Sequence, residues 1–222
     1  MTPPQSIRYV NIYNNFIYKF YDLGLKIGLT PIGEKILRYS VYEAISPYIK
    51  KGDTILDLCC GTGTLTILIT KLIYRECIIF GVDLSRGQIF QAQKKNQYPN
   101  LNFLVMDAFE LKFPDEYFEH IIISAALHEM RKSQRLKVLS EVFRVLKKGG
   151  RFIIFEHHEP SKIFHRLLYN FYLGFIEKIT SNSAEMQREI LKELKLKHFL
   201  IKTQMLVNRF FNFFQIIHSI KI

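Results

Sequence analysis

The chain has 222 residues, enough for one sizeable hydrophobic core, and 48% hydrophobic with 23% charged residues excludes an intrinsically disordered protein. Lys and Arg number 31 against 20 acids, and the resulting +11 points to an anionic partner or a solvated basic surface. Three cysteines without paired spacing suit a reducing compartment; no signal peptide and no apolar run of the ~20 residues a membrane span needs is read, so a cytoplasmic protein is expected.

In chain order, an apolar and aromatic stretch, "IRYVNIYNNFIYKFYDLGLKIGL" (7–29), precedes a run of strand and helix signals. "TILDLCC" (54–60) reads as the first strand, followed by a helix over 64–74. "CIIFGVD" (77–83) is the second strand, and Ser85 with Gln88 has the form of a capping box opening the next helix. "NLNFLVMD" (100–107) and "EHIIISAAL" (119–127) are the third and fourth strands. A helix from about Lys132 is expected to end at Lys148-Gly149-Gly150, before a fifth strand, "RFIIFEH" (151–157). In "IFHRLLYNFYLGFIEKI" (163–179), Phe164, Leu167, Leu168, Phe171, Tyr172 and Phe175 fall on one helical face, for which packing against the sheet is the plainest reading. "HFLIKTQMLV" (198–207) and "FFQIIHSIKI" (213–222) lie too close for a helical crossover and should pair antiparallel.

Strands that are apolar throughout and separated by helices imply a parallel sheet covered on both faces. The expected fold is α/β: a Rossmann-like, doubly wound, mostly parallel sheet with an antiparallel C-terminal hairpin. Residues 1–222 read as one domain, with 1–47 a helical cover and about 160–196 a helical insertion after the fifth strand.

Ligands of such sheets sit beyond the carboxyl ends of the strands. Asp57 lies in the first strand, while Asp83 and Asp107 close the next two, and Gly61-Thr62-Gly63 follows the first. Gly61 and Gly63 allow close backbone approach. Asp83 is placed to accept from a ribose diol and Asp107 from an exocyclic amine. Asp57 either holds the glycine loop or receives an ammonium group. A dehydrogenase fingerprint would need a third glycine at Thr66, and a zinc-hydrolase motif would need His at Lys132. "EHHE" (156–159) could ligate a metal, but alternate strand residues point to opposite faces, so no metal is expected.

"DLCCGTG", "GVDLS", "FLVMDAFELKFPDEYFEHIIISAALHEM" and "VLKKGGRFIIFEHHEP" resemble, in order, the motifs of class I S-adenosylmethionine-dependent methyltransferases. The resemblance implies S-adenosyl-L-methionine as cofactor, with Asp57, Gly61 and Gly63 at its methionine end. It implies Asp83 and Leu84 at the ribose, Asp107 and Ala108 at the adenine, and Ser124 near the methyl group. Cys59, at the family's first glycine position, and Thr62 belong to the same loop.

The nearest subgroup in resemblance is the ubiquinone/menaquinone-biosynthesis C-methyltransferases, through Tyr21-Asp22 and Glu156 to Pro160. That implies a lipophilic acceptor such as a prenylated quinol, with His128, Glu156 and His157 as candidate bases. A phospholipid or small-molecule N-methyltransferase and a non-catalytic cofactor-binding scaffold are the competing readings. Nucleic acid ranks low, because the segment after the fourth strand lacks an amine-holding Asn-Pro-Pro-Tyr. The apolar segments flanking the core and the basic excess suit contact with an anionic bilayer surface.

Overall fold

The computed structural model describes residues 33–73, 77–176, 183–207 and 213–222. The apolar stretch at 7–29 and the Asn208–Asn212 connection lie outside them. Seven strands form one sheet: β1 (Thr54–Leu58), β2 (Ile78–Asp83), β3 (Leu101–Val105), β4 (Phe118–Ser124), β5 (Leu146–His157), β6 (Phe199–Leu206) and β7 (Phe214–Lys221). Their order is β3-β2-β1-β4-β5-β7-β6. β1 to β5 are parallel, and β7 enters antiparallel to both β5 and β6. This is the doubly wound sheet with a closing hairpin that the strand pattern implied. The order reverses between β1 and β4, so the connections leaving their carboxyl ends run to opposite sides and leave a crevice between them.

Six helices are described: α1 (Glu34–Ile45), α2 (Thr64–Ile73), α3 (Arg86–Lys95), α4 (Lys132–Val145), α5 (Ile163–Ile176) and α6 (Ser183–Leu196). Two apolar clusters explain why the central strands carry no polar alternation. Leu56, Ile121, Ile123, Phe152 and Ile154 face one way, against Val138 and Val142 of α4 and Ile190 and Leu194 of α6. Their neighbours Ile55, Ile122, Ile153 and Phe155 face the other way, against Val41 and Ile45 of α1 and Ile69 of α2. Each such side chain taken from water contributes about 1.5–3 kcal/mol, and successive residues feed both layers.

Several local expectations change. α4 ends at Val145 rather than at Gly150, because Leu146 already pairs with Phe118 and the Lys147–Gly150 stretch continues the chain as β5. The capping box at α3 is half formed. Gln88 N–H reaches the Ser85 hydroxyl at 3.3 Å, but Ser85 N–H is held at 2.8 Å by Asp83 Oδ1, and buried Gln88 Oε1 makes no hydrogen bond. β3 ends at Val105, which puts Asp107 on the loop beyond it. On α5, Phe164 and Leu167 are exposed rather than packed on the sheet, with Leu168 half-buried; the side chains of Phe171, Tyr172 and Phe175 lie outside the described set.

Candidate active site

The loop after β1 is shaped by three left-handed residues, Cys59, Gly61 and Gly63, with φ of 59°, 56° and 71°. Glycine adopts this region freely and cysteine only with strain. A Cβ on Gly63 would lie 2.4 Å from the Phe103 ring and 2.9 Å from Ala92, and one on Gly81 would lie 2.5 Å from the same ring. The requirement for glycine at 63 therefore comes from its left-handed backbone and from the β3 side chain packed beneath the loop. Sequence reasoning had ascribed it to ligand approach alone.

Asp83, at the tip of β2, ties this loop down. Its Oδ2 accepts from Gly61 N–H at 3.0 Å and its Oδ1 from Ser85 N–H at 2.8 Å. Burial pushes its pKa above the ordinary value against the pull of these backbone donors. A carboxylate offers about four acceptor positions, so capacity remains for a diol. Asp107 accepts from Phe109 N–H through Oδ1 at 2.8 Å. Asp57 is buried beneath the loop, where Oδ2 receives the Thr66 hydroxyl of α2 at 2.6 Å. Its pKa is raised to about 7, above all by burial. Its bond to Thr66 braces the loop against α2.

Cys59, Asp83, Leu84, Asp107 and Ala108 line one cleft of about 700 Å³, counting the solvent at its mouth. Asp57, Gly61, Thr62, Gly63 and Ser124 lie outside its lining; Thr62 is buried and Ser124 closes β4. Sequence reasoning missed the far wall, where Ala126, Glu129, Met130 and Gln134 complete the cleft. The one available signal for Glu129 was an acid directly after His128. Met106 and Phe109 add apolar surface. The lining holds three carboxylates and no Lys, Arg or His. Although the chain is strongly basic, this cleft fits a flat, cationic nucleoside and suits a phosphate badly. The donor set thus fits the methyl donor the motifs imply.

Burial also pushes the Cys59 thiol well up, reinforced by the charges of Asp83, Glu129, Asp57 and Asp107, which makes it a poor nucleophile at neutral pH.

A second polar cluster sits at the ends of β4 and β5. Fully buried Glu156 accepts through Oε1 from Ala126 N–H at 2.8 Å and Leu127 N–H at 2.6 Å, and its Oε2 meets His128 Nδ1 at 2.8 Å. Burial alone would raise its pKa, but the His128 and His157 charges and the Leu127 N–H outweigh it and hold the carboxyl below its ordinary value. An ionised Glu156 can only accept, so Nδ1 of His128 carries the hydrogen of this pair. The His157 ring lies edge-on to His128 at 4.7 Å and 6.4 Å from Tyr169 of α5. Glu156 also clamps the turn that begins at Ala125, itself left-handed at φ 51°.

A family model described as a methyltransferase domain matches residues 55–150. The chain is 32% identical over 131 residues to the demethylmenaquinone methyltransferase of Geobacillus sp. (strain WCH70), an alignment covering 58% of this chain and 55% of that protein. It is 32% identical over 169 residues to the demethylmenaquinone methyltransferase of Symbiobacterium thermophilum, covering 74% and 65%. The chain thus spans less than two thirds of these relatives. Among solved structures, magnesium protoporphyrin IX methyltransferase from Synechocystis PCC 6803, with bound SAH, superposes with a TM-score of 0.76 at 15% identity, over 97% of this chain and 99% of that one. That likeness is one of fold.

Proposed function

Since the chain belongs to the class I S-adenosylmethionine-dependent methyltransferases, we propose that it transfers a methyl group from S-adenosylmethionine to a small lipophilic acceptor of the prenylated-quinol kind. The observation that carries the reading is the joint lining of one cleft by Asp83 and Asp107, at the point where the strand order reverses. In this reading Asp83 holds the ribose hydroxyls with Leu84 beside it, and Asp107 holds the exocyclic amine with Ala108 at the adenine. Asp57, Gly61, Thr62 and Gly63 shape the loop at the methionine end. Cys59 lines the cleft at that loop, and Ser124 stands at the strand tip beside it. The bound donor supplies an electrophilic methyl on a sulfonium.

The protein's own contribution is position, dryness and a proton acceptor. Glu156 acts through His128: its charge and its hydrogen bond to Nδ1 orient the ring and favour a proton on Nε2. His128 is then the base that takes the proton of a phenolic hydroxyl, and Glu156 and His157 are positioning groups. The demethylmenaquinone relatives support a quinol acceptor. Helices α5 and α6, together with the segment before β1, serve as the substrate cover.

Incubating the protein with methyl-labelled donor and a lipid extract tests the reading. Label in the prenylated quinone fraction is the expected result, with His128→Ala lowering turnover about 100-fold at unchanged S-adenosylhomocysteine affinity. Label confined to phospholipid head groups would overturn the acceptor. Absence of any S-adenosylhomocysteine binding would overturn the whole reading.

A further inference from the structure

The first turns of α5 carry apolar side chains that nothing in the described chain covers. Ile163, Phe164 and Leu167 are 69%, 64% and 64% exposed, the largest apolar exposures on any described helix except that of Leu196. At i, i+1 and i+4 they fall on one side of the helix. The opposite side is ordinary core, since Tyr169 is 2% exposed and its ring lies 5.3 Å from Phe213. Isolated exposed apolar side chains are common; three on a single helical face, one of them a Phe, mark an interaction surface.

Charge indicates the partner. Lys162 and Arg166 border the apolar side chains and are both exposed. Arg166 has one acidic neighbour, Glu159 at 3.9 Å, and a half-exposed pair at that distance leaves its charge largely available. The whole chain carries +11. An apolar face edged with bases on a strongly cationic protein matches the interface of an anionic bilayer, where side chains of this kind insert at the headgroup boundary.

We propose that the Ile163–Phe164–Leu167 face of α5 docks the protein on an anionic membrane surface. The placement has a consequence for the site. α5 begins six residues after β5 ends at His157, and the buried Tyr169 on its inner side stands beside that histidine. Docking through the outer side brings the strand ends of β4 and β5 to the lipid boundary, where a lipophilic acceptor resides. Among the described residues no helix is long and apolar enough to cross a membrane, so contact through this face is interfacial.

The test is co-sedimentation with vesicles of phosphatidylcholine alone and of phosphatidylcholine mixed with phosphatidylglycerol. The protein should bind the mixed vesicles, bind less as salt rises, and leave the neutral ones in solution. Phe164→Ser/Leu167→Ser should weaken that binding at least about tenfold. Equal vesicle binding by both proteins, or none by either, overturns the proposal. So does loss of self-association in the variant with vesicle binding intact, which would make the face a contact between two copies. Calorimetric binding of S-adenosylhomocysteine by both proteins shows that the variant is folded and tests the cleft separately, so docking and the methyltransferase reading can fail independently.

Discussion

Asp57 offers a test in which the direction of a pH effect follows from its surroundings. Its carboxyl is moved from an ordinary 3.8 to about 7. Burial is the chief cause and the neighbouring Asp83 charge adds to it, while the Thr66 hydroxyl and the charge of Arg38 pull the other way. Between those two values the folded protein holds a proton that the unfolded chain has released, so stability falls as pH rises through this window. At about 1.4 kcal/mol per tenfold change in protonation, the penalty is complete above pH 7 and amounts to roughly 4 kcal/mol. Asp57→Asn removes the titration and retains an oxygen for the Thr66 hydroxyl, now 2.6 Å from Oδ2. The variant should therefore gain up to about 4 kcal/mol over wild type at pH 8 and less than about 2 kcal/mol at pH 5. Urea denaturation at the two pH values measures the difference. A gain that is the same at both, or a variant less stable at pH 8, would show that this carboxyl does not carry an ionisation penalty in the fold.

Two other substitutions probe the cleft. Asp83→Asn removes the charge that accepts from Gly61 and Ser85 and, in the proposed function, from the ribose; S-adenosylhomocysteine affinity measured by calorimetry should fall about 10- to 100-fold, and an unchanged affinity would contradict the assignment. Cys59, at φ 59°, occupies a conformation that costs a non-glycine residue about 1–2 kcal/mol. Cys59→Gly should consequently change stability by less than about 1 kcal/mol, because relieved strain offsets lost packing and a more flexible unfolded chain, whereas a β-branched Cys59→Val should cost more than about 2 kcal/mol in urea melts.

The fold was legible in the chain because its signals are local. Continuous apolar runs such as Ile121–Ile123 can satisfy a strand only if both faces are covered, and the spacing between runs leaves room for helical crossovers except before β7. The same holds for Asp83 and Asp107, whose positions just after apolar runs put them at one edge of a parallel sheet. Contacts made across that edge were not legible. Gly63 is explained by Phe103, forty residues away, and Ser85 N–H turns from Gln88 to Asp83 because β2 ends beside it. Glu156, a candidate base by its place at the end of β5, is seen to spend its oxygens on the turn at Ala126–Leu127 and on His128. Glu129 joins the cleft only because that turn is folded back by Glu156. Periodicity records which face of an element is buried, so the sequence alone determined the sheet and the edge at which Asp83 and Asp107 gather. Which hydrogen-bond partner a buried carboxylate takes, and whether the apolar face of α5 is covered, depend on what other elements bring within a few ångströms, and that only the tertiary structure decided.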